Sequence, residues 1–158
     1  MSFHLAQVNI ARAKAPMDTP LMADFVAALD RVNELAEASP GFIWRLKSDS
    51  GNATDIVAFD DPAIIINMSV WRSVEDLFDF TYKTNHSAIM ARRRDWFDKM
   101  ELPHLALWWV PVGTEPTVLD ARTRLELLAK TGPTAAAFTF KQRFDADGNV
   151  VTKEKVGV

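Results

Sequence analysis

The 158-residue sequence contains no cysteine, and none of its apolar runs approaches the roughly 20 residues that a membrane-spanning helix requires. Without cysteine, these residues form no disulfide, supply no thiolate nucleophile and bind no zinc through sulfur. Basic side chains are too few for a typical nucleic-acid binder, because 18 Lys and Arg stand against 21 Asp and Glu and the net charge is −3. The opening residues lack the basic region and long apolar stretch of a signal peptide. We therefore expect a cytoplasmic protein that binds neither nucleic acid nor a membrane.

Large aromatic rings are abundant, since 5 Trp and 10 Phe accompany a single Tyr. Hydrophobic residues make up 48% of the chain. A chain of this length buries about 70% of its unfolded surface, so one sizeable core is expected. This composition is typical of a globular domain and argues against a disordered or fibrous chain. The rings predict a core or a pocket lined with aromatic side chains.

Amide side chains lie within two of the predicted strands. Residues 3–11 mix apolar and polar residues without helical periodicity, which predicts a strand with Gln7 and Asn9 on one face. These amides follow large apolar residues on the same face, which indicates a strand whose end borders a cavity. Residues 64–71 give the strongest strand signal of the chain, and Asn67 lies on the more polar of its two faces.

The predicted elements follow the order β-α-β-β-α-β, which is the ferredoxin-like pattern of two split βαβ halves. This order predicts an α+β fold with both helices on one face of the sheet. Because a ring-rich sheet face is unfavourable in water, we expect a second copy to cover the other face in a homodimer. The elements of this order are a strand over 3–11, a helix over 20–36, strands over 42–46 and 64–71, a helix from Ser73 through Phe97, and a strand over 104–110. Residues 54–59 can add a hairpin arm to the strand over 42–46.

The length of the chain exceeds that of the ferredoxin-like unit. We expect this unit over residues 1–113, and residues 114–158 as a C-terminal extension packed on the same domain. The extension is predicted to hold a helix from Pro116 or Thr117 to about Lys130, a strand over 138–144 and a turn over 145–148 that can return as a hairpin.

Four motifs form a recognisable pattern: a Pro-Gly-Phe strand from Pro40, a strand ending in Trp71, a helix opened by Ser73-Val74-Glu75, and His86 near the far end of that helix. The pattern resembles the antibiotic-biosynthesis-monooxygenase-like, dimeric α/β barrel superfamily. A closer resemblance is to an uncharacterised family within it, and it covers most of residues 3–144. The segments that carry this closer resemblance are 4–7, 39–46, 92–97, 107–111 and 138–140.

The resemblance implies a fold but not a reaction, because the superfamily includes cofactor-free oxygenases, heme-degrading enzymes, isomerases and proteins without assigned activity. In the heme-degrading members an Asn, a Trp and a His form the active site, and Asn9, Trp71 and His86 are the positions that match. The 15-residue separation of Trp71 from His86 is longer than expected in those enzymes. We therefore expect a heme-free protein with no tightly bound cofactor and no metal site.

Histidine supplies the candidate for acid–base chemistry, because its side chain titrates near neutral pH. His86 is the first choice, and if the helix continues, Tyr82 lies four residues earlier on the same face and can share its site. The alternative is that His86 ends the helix or bonds a surface carboxylate. His4 and His104 rank lower, since each lies near the start of a strand, where a solvent-facing histidine is common.

Aromatic and amide residues supply the candidate walls of a pocket. Trp44, Trp71 and Trp108 are predicted to wall a flat site for an aromatic molecule, with packing in the sheet core as the alternative. Asn9 or Asn67 is predicted to steer the oxygen of the substrate. The alternative for the amides is that they bond each other or the backbone, because an unpaired buried amide is unfavourable.

Basic side chains are the candidates for the mouth of the pocket. Arg45, or one arginine of the run 92–94, is available to contact an anionic group of a ligand. Three consecutive helical residues point in three directions, so at most one or two of the run reach a single ligand. Ion pairing with Asp95 and Asp98 is the alternative for this run.

These residues favour a small oxygenase-like or isomerase-like enzyme that acts on an apolar, aromatic molecule. In cofactor-free oxygenation, a base in a dry pocket would make a substrate carbanion that reacts with oxygen directly. The sequence has no Gly-rich phosphate loop, no serine nucleophile elbow and no metal-ligand spacing. Two alternatives stay open: a non-catalytic small-molecule-binding or dimeric interaction protein, and a heme-binding or heme-degrading monooxygenase.

Overall fold

An antiparallel sheet with helices packed on both faces dominates the structure. The computed structural model describes residues 2–47, 59–83, 92–100 and 103–151. Its strands are β1 (Phe3–Ala13), β2 (Phe42–Arg45), β3 (Ile64–Trp71), β4 (Phe97–Asp98), β5 (Leu105–Pro111), β6 (Arg143–Phe144) and β7 (Val150–Val151). Its helices are α1 (Ala23–Glu37), which follows a 3-10 turn at Pro20–Met22, α2 (Val74–Lys83), α3 (Arg93–Trp96) and α4 (Val118–Thr131).

Strand β1 is the centre of the sheet, because it pairs antiparallel with β3 on one side and with β5 on the other. Strand β2 pairs with the outer edge of β3, so the four main strands of the sheet follow the order β2-β3-β1-β5. This is the arrangement of a ferredoxin-like sheet. Near its end, β1 also pairs with β4 through Arg12 and Ala13. The predicted α+β, ferredoxin-like fold class is confirmed.

The register between β1 and β3 gives the sheet two unlike faces. Gln7 lies opposite Ser69, and Asn9 lies opposite Asn67, so polar side chains share the middle of one face. Residues at the alternate positions of both strands are apolar and almost fully buried, namely Ala6, Val8, Ile10, Ile66, Met68 and Val70.

Helices α1 and α2 pack on the face that carries the polar residues. Helix α2 begins as predicted, because the Ser73 hydroxyl accepts a 3.1 Å hydrogen bond from the Asp76 backbone N–H. Beyond the polar middle, this face is apolar. The buried residues that join the two helices to the sheet are Leu5, Ala36, Trp71, Val74, Leu77, Phe80, Leu107 and Phe138.

The turn before β2 is pressed against the first turn of α2. Gly41 has φ +85°, and its carbonyl accepts a 2.7 Å hydrogen bond from the Arg72 backbone N–H. A Cβ at Gly41 would lie 2.1 Å from Asp76 Oδ2 and 2.6 Å from Asp76 Cβ. Both the backbone conformation and the close approach therefore require glycine at this position.

The second face of the sheet is covered by α4 of the same chain. Ala121, Leu125 and Leu128 recur at helical spacing and are buried against β1, β3 and β5. From the sequence we expected this face to be open and a second copy to cover it, but the chain's own helix occupies it. A homodimer stays a prediction, and it would have to use another surface.

Helix α4 begins and ends where the sequence places a helix. Thr117 Oγ1 accepts from the Asp120 backbone N–H at 3.1 Å, and the Thr117 N–H donates to Asp120 Oδ2 at 2.8 Å, which forms a complete capping box. Gly132, with φ +74°, ends the helix, and its N–H donates to the Leu128 carbonyl at 2.9 Å.

Two predicted elements differ from the structure, and a third lies outside most of the described residues. The second helix was expected to continue through Phe97, but Phe97 begins the short strand β4; α2 is described as far as Lys83, and residues 84–91 lie outside the described residues. The strand expected over 138–144 is reduced to one bridge, in which Phe138 and Leu107 exchange backbone hydrogen bonds of 2.8 Å, and to the two residues of β6. The strand over 54–59 lies almost entirely outside the described residues. Among the helices described, none has the combined length and apolarity needed to cross a membrane.

Candidate functional site

A cavity of about 350 Å³ lies between the polar-centred face of the sheet and helices α1 and α2. Its floor is formed by β1 and β3, and its roof by α1. Residues from α2 and the C-terminal segment close one end, and residues from α3 and the start of β5 close the other. The lining includes Phe25, Leu29 and Val32 of the roof, Phe80 and Phe140 at one end, and Trp96, Phe97 and Leu105 at the other.

A hydrogen-bonded network forms the floor of the cavity. Gln7 Nε2 donates to Asn67 Oδ1 and to Ser69 Oγ, both at 2.8 Å. Trp71 Nε1 donates to the same Ser69 Oγ at 2.7 Å. Because Gln7 uses its two N–H groups in this way, the orientation of its amide is fixed. Gln7 and Asn67 therefore bond each other across the sheet, which is one of the two roles that the sequence left open for these amides.

The network leaves polar atoms over for a ligand. Gln7 is only 3% exposed, yet within the described residues no donor reaches its Oε1. Within the same residues, the Asn67 amide N–H groups donate to no acceptor. Asn9 lines the cavity beside Asn67, and its side chain makes no hydrogen bond in the described parts of the chain. Since buried polar groups are nearly always paired, the buried Gln7 carbonyl indicates a polar ligand or water in the cavity, whereas Asn67 is exposed and Asn9 half-buried, so water can reach both of these amides.

Trp71 is the aromatic end of this network. Its ring stacks on Phe80 with centroids 5.2 Å apart and an interplanar angle of 26°, and it meets the edge of Phe42 at 5.5 Å. The whole side chain is 0% exposed. Trp71 therefore shapes one end of the cavity and holds Ser69 in place, without a free ring face for a large flat ligand.

Heme can be tested against this geometry. The resemblance implied that Trp71 would contact a porphyrin, but its side chain is fully buried, its ring stacks on Phe80 and its N–H is bonded to Ser69. Asn9 does line the cavity, and His86, the expected iron ligand, lies outside the described residues. The position of Trp71 does not fit a porphyrin contact, and no chemical step is assigned to heme.

Two of the three tryptophans predicted to wall the pocket lie elsewhere. Trp108 is opposite Ala6 on β1 and is 1% exposed in the core beneath α4, where the Arg124 guanidinium lies 5.7 Å from its ring centroid. Trp44 pairs with Val70 and packs in the same core. Neither Trp44 nor Trp108 is among the residues that line the cavity. Alternation along β5 places Trp108 on the opposite face, and the bulge between Phe42 and Trp44 places Trp44 there although Phe42 lines the cavity.

Charged and titratable side chains lie at the edges of the cavity. Arg45 lines it as predicted, but its Nε is held by Glu37 Oε2 at 2.9 Å. Tyr82 also lines it and is 49% exposed, with its ring 4.6 Å from that of Phe78. His4 is on the alternate face of β1, opposite Val110, and is not among the lining residues.

The cavity is lined at its α3 end by His104, which was ranked below His86 from the sequence, and by Arg93, one of the arginines of the run 92–94. Partial withdrawal of the imidazole from water lowers the pKa of His104 below its ordinary value of 6.5, and the nearby Arg93 charge lowers it further. His104 is therefore a neutral base at pH 7. The sequence signal for His104 is its position directly before the strand that pairs with β1. In the structure its carbonyl accepts a 2.8 Å hydrogen bond from the Ile10 N–H, which places His104 next to Asn9.

Metal binding has no support in this site. Within the ranges that the structure describes, no three His, Asp or Glu side chains are grouped so that they could hold an ion. The polar residues of the floor are amides and a hydroxyl, which are weak metal ligands without a carboxylate or imidazole beside them. The arrangement is suited to an organic ligand with an apolar body and polar edges.

Comparison with known families and structures gives one family match. The family described as "Domain of unknown function (DUF3291)" matches residues 4–154. No curated protein matches the chain. The family match confirms the resemblance of the chain to an uncharacterised family, which was inferred from the sequence.

Several solved structures are similar to the chain at low sequence identity. A protein of unknown function from Nitrosomonas europaea is 15% identical, with a TM-score of 0.49, over 73% of this chain and 96% of its own. A candidate antibiotic biosynthesis monooxygenase from the same organism is 17% identical, with a TM-score of 0.46, over 73% and 93%. Another candidate of that name, from Chloroflexus aurantiacus J-10-fl, is 19% identical, with a TM-score of 0.44, over 72% and 97%.

Proposed function

The chain belongs to the family described as Domain of unknown function (DUF3291), and with that family as the starting point we propose that its cavity is the active site of a small enzyme. The proposed reaction is oxygenase-like or isomerase-like, on an apolar, aromatic molecule and without a tightly bound cofactor. The observation that carries the proposal is the amide floor at Gln7, Asn9 and Asn67, whose polar atoms are not all paired within the described residues and face a largely apolar cavity.

The dimensions of the cavity support a small aromatic ligand. Its volume of about 350 Å³ falls at the lower end of the range for small-molecule sites. Phe25, Leu29 and Val32 form the roof over the floor, and aromatic side chains close both ends. Burial of a two-ring molecule between these walls would remove its apolar surface from water, which is the main source of affinity in such a site.

The amide floor supports recognition of an oxygen on that molecule. The N–H groups of Asn67 and Asn9 can donate to a carbonyl or phenolate oxygen, and Gln7 Oε1 can accept from a hydroxyl. These groups are held by the sheet, so their reorganisation during a reaction would be small. Donors held in fixed positions stabilise negative charge that develops on oxygen in the transition state, most strongly once a bound ligand has displaced water from them.

His104 supplies the proton-transfer group among the described residues. As a neutral base it would remove a proton from a carbon next to the substrate carbonyl, and the amide donors would stabilise the resulting enolate. Return of the proton to another carbon completes an isomerisation. Alternatively, the carbanion of a CH₂ group reacts with molecular oxygen, one oxygen atom becomes the new carbonyl and the other leaves as water with the two hydrogens. The substrate itself supplies the electrons for that reaction.

A binding protein without catalysis is the second candidate. It is favoured by the location of His104 at the rim of the cavity and not in its buried centre. In that case the amide floor and the ring walls would hold the same class of molecule, and His104 would contribute to the polar rim alone. The two candidates make the same prediction for binding and opposite predictions for chemistry.

The test uses β-tetralone, a two-ring ketone with acidic C–H groups, and its unreactive analogue β-naphthol. Isothermal titration measures binding of β-naphthol to the full chain. Proton NMR in D₂O measures exchange of the C–H groups of β-tetralone, and an oxygen electrode measures oxygen uptake. The proposal expects saturable binding, and exchange that is faster with protein than in buffer.

Two histidine variants separate the candidates. His104→Asn should keep β-naphthol binding and lose most of the exchange, because a general base typically contributes about 10²-fold to 10⁴-fold in rate. His4→Asn is the matched control on the opposite face and should leave both unchanged. Binding with neither exchange nor oxygen uptake would favour the binding protein, and no binding of β-naphthol would refute both candidates.

A further inference from the structure

The charge around the cavity is of one sign, although the chain as a whole has a net charge of −3. Its described lining residues include the cations Arg45 and Arg93 and the neutral His104, and they include no aspartate or glutamate. Charges at the edge of a low-dielectric cavity act strongly on a ligand inside it. This asymmetry favours a negatively charged ligand.

Among the lining arginines, Arg93 is the one without an ion pair within the described residues. The neighbouring Arg92 is bound to Asp24 at 3.1 Å and to Asp95 at 3.0 Å, and its guanidinium lies 4.6 Å from the centroid of the Trp96 ring. Arg45 is bound to Glu37 at 2.9 Å. By contrast, no carboxylate of the described residues forms an ion pair with Arg93.

The surroundings of Arg93 combine this cation with rings. Helix α3 begins at Arg93 and ends at Trp96, and Phe25 contacts Trp96 and Phe97 with ring centroids 5.4 Å and 4.9 Å apart. His104 lies close enough for the Arg93 charge to act on its imidazole. The α3 end of the cavity therefore offers an apolar aromatic wall next to a guanidinium and an imidazole, all of them lining residues.

We propose that the ligand is an aromatic acid whose carboxylate binds the Arg93 guanidinium beside His104, with its ring body in the cavity. A guanidinium presents paired N–H donors that match the two oxygens of a carboxylate. The far edge of the ligand then reaches the amide floor at Gln7 and Asn67. This inference rests on the proposed small-molecule function and adds the class of the ligand.

The test compares two probes of one shape, β-naphthoate and β-naphthamide, which differ in charge. Isothermal titration of the full chain should give a Kd for the carboxylate about tenfold lower than for the amide, as expected for one charge-assisted contact near the surface. In Arg93→Met this preference should disappear, while the Kd of the amide stays unchanged. Arg94→Met is the matched control, because Arg94 is exposed like Arg93 but is not among the lining residues, and it should keep the preference.

Salt provides a second measurement that needs no variant. Raising NaCl from about 0.01 M to about 1 M shortens the Debye length from about 30 Å to about 3 Å, so the preference for the carboxylate should shrink while amide binding changes little. Equal affinities in the parent, or a preference that survives in Arg93→Met, would overturn the inference and leave the proposed function intact. If β-naphthol, β-naphthoate and β-naphthamide all fail to bind, the proposed function fails as well.

Discussion

The packing of α4 on the sheet makes a quantitative prediction for Leu125→Ala. Leu125 is 5% exposed and packs among residues of β1, β3 and β5. Truncation of a buried leucine to alanine typically lowers the free energy of unfolding by about 3 kcal/mol, through lost apolar burial and the cavity left behind. For a chain of this size, about 3 kcal/mol corresponds to a fall in Tm of roughly 6 to 12 °C.

Urea unfolding followed by circular dichroism measures this change, with the midpoint and the slope fitted separately. Leu119→Ala is the matched control, because it removes the same atoms from the same helix at a side chain that is 69% exposed. Its effect should stay within about 0.5 kcal/mol. Neither variant should alter the Kd of β-naphthol, since α4 and the cavity lie on opposite faces of the sheet.

If Leu125→Ala were no more destabilising than Leu119→Ala, α4 would not be packed on the sheet, and the reasoning about the second face would be refuted. In that case the predicted homodimer would be the natural cover for the ring-rich face. Sedimentation velocity of the parent and of Leu125→Ala would then show a dimer in both. If α4 is packed as described, a dimer that forms only in Leu125→Ala would show that a second copy competes with α4 for this face of the sheet.

Three further predictions follow from positions already described. Gly41→Ala should lower the free energy of unfolding by about 2 to 5 kcal/mol, because strain at positive φ adds to the clash with Asp76, whereas Gly113→Ala, with φ +92° and open space around it, should show the strain alone, about 1 to 2 kcal/mol in urea unfolding. Gln7→Leu should lower stability by about 1 to 3 kcal/mol and weaken β-naphthol binding in titration, because Asn67 and Ser69 lose their donor; unchanged values for both would contradict the network. The lowered pKa of His104 means that the unfolded chain binds its proton at higher pH than the folded chain, so stability should fall as pH drops below about 6.5, and this fall should be smaller in His104→Asn when melting temperatures are measured across pH 5 to 8.

Alternation along strands was the strongest guide from sequence to structure. It placed Gln7 and Asn9 on one face of β1, and Asn67 with Trp71 on one face of β3, and both sets line the cavity. This works because the side-chain period of a strand is fixed at two, whatever the strand pairs with. The pattern also indicated the fold class, since the order of the elements restricts the topology.

The positions of Trp44 and Trp108 could not be derived in the same way. Each strand has two faces, and both faces of β5 are apolar, so the sequence of this strand does not say which face borders the cavity. Register with β1 decides it, because Trp108 lies opposite Ala6 and therefore shares the face of α4. The bulge between Phe42 and Trp44 alters the alternation of β2 in addition.

The arginine run and α4 were limited by information that only tertiary contacts contain. Ion pairing was foreseen for the run, and Arg92 does bind Asp95, but nothing in the sequence separates Arg92 from Arg93. The apolar stripe of α4 was visible as a helix pattern, yet a stripe does not identify the surface that it covers. His86, the first choice as base, lies outside the described residues, so its role stays a prediction.

The sheet divides the molecule into two compartments, and this division has a consequence for how the protein could be modified. Neighbouring residues along β1 belong to different compartments, with Gln7 and Asn9 in the cavity, and Ala6 and Val8 in the core under α4. Substitutions without shared neighbours usually have additive effects on stability. A library limited to the cavity-side positions of β1 and β3 could therefore vary ligand preference while the other compartment keeps the fold intact. Such a protein could acquire new substrates by changing every second residue of two strands.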